Sequence, residues 1–482
     1  MFDYRAFAVR NLARIGPRYL PFADVASEEV PLSRLLRLSL FQVTVGMALV
    51  LLVGTLNRVM IVELAVPASL VSVMLALPLL FAPFRTLIGY RSDTHVSALG
   101  LRRAPYIWKG TMYQFGGFAI MPFALLVLSG YGDAIDAPRW IGLSSAALAF
   151  LLVGAGVHMV QTVGLALATD LVKEEDQPKV VGLMYVMLLA GMVVSALAFG
   201  ALLENYTPGR LVQVIQGAAV VTVSLNLFAL WKQEARDRNR ARAMETARHP
   251  RFSDAFGELL RQPGTLRLLT VIALGTFGFG MADVLLEPYG GQALGLTVSA
   301  TTKLTALLAA GTLIGFGVAS RVLGKGSAPM PLAVSGALLG LPGFAAIVLS
   351  SVVGEIAFFL FGTFAIGVGI GLFGHATLTA TMRAAPPNRI GLALGAWGAV
   401  QATAAGIGVA LAGIVRDGLV AVPQLAGSGP AAPYNAVFIL EAVFLLVAIA
   451  VALPLVRPSS GDAAGRDRTE DSEDSTHKAE VA

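Results

Sequence analysis

The chain has 482 residues, of which 56% are hydrophobic and 13% charged, with a formal net charge of +5. A soluble domain carries about a quarter charged residues, so this composition excludes a water-soluble globular protein. The absence of cysteine excludes disulfides and Cys-ligated metals, and long continuous apolar runs such as SLFQVTVGMALVLLVG exclude an outer-membrane barrel, whose strands alternate.

Residues 1–37 are basic and mixed, so they read as a cytoplasmic segment rather than a cleavable signal, with the first span serving for insertion. Apolar runs of about 20 residues, each long enough to cross a ~30 Å hydrocarbon core, then recur. Twelve spans are expected, at 38–57, 66–85, 106–129, 140–168, 181–204, 211–231, 267–287, 298–320, 330–351, 354–382, 390–415 and 434–456. Of 35 Lys and Arg residues, only Arg58, Arg139, Arg210, Lys303 and Arg416 fall on one side of this arrangement. The positive-inside rule therefore puts both termini in the cytoplasm. The basic charge records topology, and no nucleic-acid partner is expected.

The first span ends in GTLNRVMIVEL, which brings Asn57 and Arg58 to its outer end. After the second span comes GYRSDTHVSALGLRR. Gly89 with Asp93, then Gly100 with Arg102 and Arg103, is similar to the major-facilitator loop motif, with about four extra residues between its parts. There a glycine allows close helix approach, an aspartate pairs with arginine or caps a helix, and arginines hold the loop on the cytoplasmic face. TDLVKEEDQPK (169–179) reads as a solvated cytoplasmic hinge loop, and residues 232–266 as a charged linker containing a surface helix.

The seventh span contains GMADVLLEPYGG, in which Asp283 and Glu287 lie four apart and so on one helical face. An intramembrane acid costs roughly 2.5–3.5 kcal/mol on insertion scales, so both should face a polar cavity or a cation. The span is expected to end at Glu287–Pro288, with Glu287 paired to Arg58, Lys303 as another possible partner and Tyr289 anchoring the helix end at the interface. A structural ion pair and a ligand or proton site both remain open for these acids. His158 and His375 lie on the fourth and tenth spans, and a neutral imidazole there either ligates a metal, such as a chlorophyll magnesium, or bonds between helices. The glycines of GVGIGLFG (367–374) read as helix packing. No Walker loop, Ser–His–Asp set or metal-hydrolase site is recognisable, so no enzymatic activity is expected. The polar tail, 457–482, is expected to be disordered.

The chain repeats itself. GMALVLL (46–52) matches GMADVLL (280–286) at six of seven positions, and LGLRRAPY (99–106) echoes LGKGSAPM (323–330). In this register Asp283 aligns with Leu49 and Glu287 with Val53, so the acids belong to one copy only. The fold class is therefore an all-α membrane protein of twelve transmembrane helices. They form two pseudo-symmetric six-helix halves, 38–231 and 267–456, as in the major-facilitator fold.

LSRLLRLSLFQVTVGMALVLLVGTLNRVMIVEL, PLLFAPFRTLIGYRSDTH, LGLRRAPYIWKGT, QFGGFAIMPFALL and DVLLEPYGGQALGL together resemble the PucC/LhaA family of photosynthetic bacteria, also called the bacteriochlorophyll delivery family. The resemblance covers nearly all of residues 10–456. It implies an assembly factor for light-harvesting antenna complexes, with bacteriochlorophyll as cargo and antenna polypeptides as partners. It also implies bacteriochlorophyll synthase and the membrane insertion machinery as further partners, and a bacterial inner, intracytoplasmic photosynthetic membrane as the location. Two alternatives stay open: a proton-coupled transporter of a small solute, and a structural partner within a photosynthetic supercomplex.

Overall fold

The computed structural model describes residues 30–80, 88, 92, 101–131, 134, 136–173, 176–234, 261–384, 390–422 and 429–456. Among them every regular element is helical. Eleven helical segments are long and apolar enough to cross a membrane, which makes this a multi-pass membrane protein. The second of the twelve expected spans is the shorter helix Ala68–Leu80, and residues 81–87 beyond it lie outside the described residues. So do most of the linker, at 235–260, and the tail, at 457–482.

The spans are Leu32–Glu63, Ala68–Leu80, Ala104–Ser129, Arg139–Asp170, Gln177–Leu202 and Pro208–Leu230 in the first half. The second half has Thr265–Gln292, Val298–Gly324, Pro329–Val353, Ile356–Ala384, Ile390–Val420 and Ala432–Val456. Local chemistry sets their ends. Pro208 opens the sixth span, where Thr207 Oγ1 accepts the Arg210 N–H, and Thr297 Oγ1 accepts the Ala300 N–H at the start of the eighth. The third and ninth spans, equivalent in the repeat, each stop at a left-handed glycine, Gly130 (φ 59°) and Gly354 (φ 78°).

The two halves are packed alike. The third span lies along the fourth and sixth, and the ninth along the tenth and twelfth. The first span contacts the fifth and sixth as the seventh contacts the eleventh and twelfth. Glycines make the closest crossings. A Cβ on Gly156 would sit 2.5 Å from the Gly110 carbonyl oxygen, and one on Gly369 would sit 2.7 Å from that of Gly336. The backbones of the paired helices therefore nearly touch, as small residues permit inside a bilayer. Gly367 and Gly371 of GVGIGLFG face the eighth span in the same way.

Between halves, the second span packs on the eleventh and the fifth on the eighth, while the first and seventh face each other at the centre. Hydrogen bonds also join the halves. Ser299 Oγ donates to the Gly200 carbonyl, Ser69 N–H to Asp417 Oδ2 and Arg58 Nη2 to the Leu296 carbonyl. These three lie where the fifth, first and seventh spans end and the second and eighth begin, at one end of the bundle.

Two central spans depart from expectation. The first starts at Leu32 rather than 38 and runs to Glu63, its outer part wound as a π-helix over Val50–Leu56 and Val59–Glu63. The seventh does not end at Glu287–Pro288. It breaks after Gly280 and resumes as Ala282–Gln292, carrying Pro288 inside the second segment.

Candidate functional site

The irregular parts of the first and seventh spans face each other across a cavity of about 130 Å³, lined also by the fifth, eighth and tenth spans. Its walls include Leu49, Val53, Asp283, Leu286, Glu287 and Thr305. Leu49 and Val53 are the repeat counterparts of Asp283 and Glu287, so matching positions of both halves converge on one space. Only the second half brings acids to it.

Backbone chemistry explains the local architecture. Pro288 has no N–H, so the Val284 carbonyl one turn earlier lacks its helical partner. Asn57 Nδ2, fully buried on the first span, donates to it at 2.7 Å. Resuming the seventh span at Ala282 leaves amide donors inside the bilayer. Glu441, fully buried on the twelfth span, accepts the Ala282 N–H at 2.5 Å. Glu441 is a functional group that pattern reading missed. An isolated acid in the run FILEAVFLLVAI is the signal that could have found it.

Glu287 is 3% exposed. Its Oε1 accepts the Thr305 hydroxyl, and its Oε2 has no partner. The expected pair with Arg58 is not formed. Arg58 Nη1 is bound to Glu63 and Nη2 to the Leu296 carbonyl. The reason is the π-winding, whose i→i+5 pattern stacks Glu63 over Arg58, whereas an α-helix would splay them apart. Lys303 is exposed, with its stem against Gly200, and pairs with neither acid. Among the described residues Asp283, partly exposed, has no hydrogen-bond or ion-pair partner.

Tyr289 is not an interfacial anchor. It is fully buried, donates to the Ile347 carbonyl at 2.9 Å, and sits among the rings of Phe359, Tyr434 and Phe438. Nearby, Gln292 Oε1 accepts from Arg416 Nη2 at 2.6 Å and from the Tyr434 hydroxyl at 2.7 Å. Arg416 also pairs with Asp417, the residue that accepts the Ser69 N–H. This network ties the second, seventh, eleventh and twelfth spans together. Between the fifth and sixth spans, burial and the neighbouring Glu63 push the Tyr206 phenol up to about 12.

At the opposite end, Gly89, Asp93 and Gly100 of the loop motif lie outside the described residues. Arg102 and Arg103 both pair with Asp170, at 2.6 and 2.5 Å. The Glu234 carboxylate accepts the N–H groups of Arg102, Arg103 and Ala104, capping the third span. Asp170, expected in a solvated hinge, is thus an ion-pair member. His158 and His375 are both half-buried. The His375 ring lies 4.1 Å from that of Phe316, and its Nδ1 accepts or donates no hydrogen bond. Among the described residues no cluster of three or more His, Asp and Glu could hold a metal ion.

Comparison with known proteins adds the lineage. The nucleoside transporter NupG superposes with a TM-score of 0.66 at 12% identity, covering 88% of this chain and all of that one. An inward-facing, unoccupied bacterial homolog of the human lysosomal transporter Spinster gives 0.63 at 15%, over 87% and 95%. At such identities the likeness is one of fold, the two-half transporter architecture. In sequence, the chain is 76% identical to Protein PucC of Rhodobacter capsulatus over 94% of its own length and 99% of the relative's. It is 64% identical to Protein PucC of Rhodovulum sulfidophilum, over 89% and 94%. A more distant relative is the 44.5 kDa chain of bacteriochlorophyll synthase of Rhodobacter capsulatus, 28% identical over 88% and 95%. The family model described as PUCC protein matches residues 55–460, and with the end-to-end identity to two of its named members this chain belongs to the PUCC protein family.

Proposed function

We propose that this protein is a non-enzymatic assembly factor of bacterial light-harvesting complexes, which binds bacteriochlorophyll and hands it to antenna polypeptides as they enter the membrane. The observation that carries this reading is the 76% identity to Protein PucC across the whole membrane domain, joined by kinship to a chain named for bacteriochlorophyll synthase. The geometry is compatible with it. His375, beside the Phe316 ring on the tenth span, has a buried Nδ1 with no hydrogen-bond partner and is the first candidate ligand for a chlorophyll magnesium. His158, on the equivalent span of the other half, is the second candidate ligand. Bacteriochlorophyll synthase and the membrane insertion machinery are the further partners this reading implies. The thirty-to-five distribution of Lys and Arg supports two cytoplasmic termini in a bacterial inner membrane.

The test is a deletion strain, complemented with wild type or with His158→Phe/His375→Phe. Deletion lowers the antenna absorbance bands while bacteriochlorophyll synthesis continues. The double variant, purified, carries less pigment or shows a shifted pigment spectrum. Unchanged antenna bands in the deletion strain refute the assembly role, and an unchanged pigment content and spectrum in the folded variant refutes ligation by these histidines.

A further inference from the structure

The central cavity poses a charge problem that the chain itself does not solve. Glu287 is buried on the cavity wall with one carboxylate oxygen unpartnered, and Asp283, one turn earlier, lacks any partner among the described residues. A third acid, Glu441, stands behind them on the twelfth span, fully buried, with one oxygen on the Ala282 amide and the other also without a partner. Arg58 gives Nη1 to Glu63 and Nη2 to the Leu296 carbonyl, leaves Nε without a partner and forms no ion pair with either acid, and Lys303 is exposed. An isolated carboxylate in a low-dielectric interior is prohibitively costly unless something neutralises it. The acids are also no part of the shared scaffold, because the other half places Leu49 and Val53 on the same cavity. Space has been kept for the carboxylate. A Cβ on Gly54 would lie 2.6 Å from Glu287 Oε1 and 2.9 Å from Thr305 Oγ1. The cavity, about 130 Å³, is well above the ~30 Å³ share of a single water and well below the ~300 Å³ of a typical organic-ligand pocket.

We propose that this cavity is a binding site for one exchangeable monovalent cation, a proton or Na⁺, held by Glu287 and Asp283 with the Thr305 hydroxyl orienting the Glu287 carboxylate. A Na⁺ that has shed part of its water shell fits the volume and finds carboxylate oxygens, the hard ligands that hard cations take. A proton needs only the free oxygen. In both cases the ion supplies the counter-charge missing from the surrounding helices, and its occupancy reports on the space between the first and seventh spans.

The experiment follows the thermal unfolding midpoint of the full-length protein in detergent micelles. One arm raises NaCl against choline chloride at constant ionic strength and pH. The other lowers the pH from about 9 to about 6 in choline chloride, below the range where Lys and Tyr ordinarily titrate. A ligand bound only by the folded state raises the midpoint as its concentration rises. A rise with NaCl identifies the metal ion and a rise with acid the proton. Glu287→Gln abolishes the response and Asp283→Asn weakens it. If Glu287→Gln does not fold, Thr305→Val keeps the carboxylate, removes its hydroxyl partner and displaces the titration midpoint. A wild-type midpoint indifferent to both arms overturns the proposal. So does a response that survives in full in Glu287→Gln or, where that variant fails to fold, one unaltered in Thr305→Val.

Discussion

Glu441→Leu removes the acceptor that allows the seventh span to break inside the membrane. Glu441 is fully buried and takes the Ala282 N–H at 2.5 Å, at the first residue of the segment that carries Asp283 and Glu287. Leucine fills similar space but accepts nothing, and the bilayer core offers no water to replace it. Loss of the cap, which leaves a buried amide without an acceptor, costs about 2–3 kcal/mol. Glu441→Gln retains a carbonyl oxygen in the same place and costs about 1 kcal/mol or less. The difference, about 2 kcal/mol, is roughly 30-fold in the unfolding equilibrium. Reversible unfolding in mixed micelles of rising SDS content, followed by the helical circular-dichroism signal, resolves a change of that size. Equal stabilities for the Leu and Gln variants would refute the idea that this carboxylate holds the broken helix.

At the other end of the bundle, Asp170→Asn strands Arg102 and the mostly buried Arg103 and is expected to cost about 1–2 kcal/mol in the same assay. An unchanged variant would return the cluster to the status of a solvated surface pair. For topology, reporter fusions at Gly130, Tyr206 and Ser428 are expected on the periplasmic side and fusions at Arg240 and the C-terminus in the cytoplasm; a periplasmic Arg240 fusion refutes the orientation.

The fold was legible because hydropathy and length are strong signals, and because GMALVLL and GMADVLL betray the duplication. The cavity was partly legible. Two acids on one helical face predict an inward-facing pair, and Asp283 and Glu287 do line the central space. The partner of Arg58 was not legible, since it depends on π-winding that local sequence does not announce. In an α-helix Glu63 would point well away from Arg58, and Glu287 would be the natural choice. The break after Gly280 was hidden for a similar reason. Its amide is satisfied by Glu441, about 160 residues later in the chain, and such distant partners leave no periodic trace. Tyr289 looked interfacial from its place near an expected helix end, but the helix continues to Gln292 and carries the ring into the core.

The glycine crossings of the third and fourth spans, and of the ninth and tenth, have a thermodynamic consequence. A leucine or isoleucine placed in a packed interface gives up about 0.5–1 kcal/mol of rotamer entropy, whereas glycine has none to lose. Inside a bilayer there is also no water-driven gain from bringing two apolar faces together, so these seams rest on dispersion between closely apposed backbones. Such contacts do not weaken on cooling as burial from water does. Each helix pair is therefore expected to remain a stiff unit at low temperature, and the softer parts of the molecule to be those where larger side chains fill the gaps.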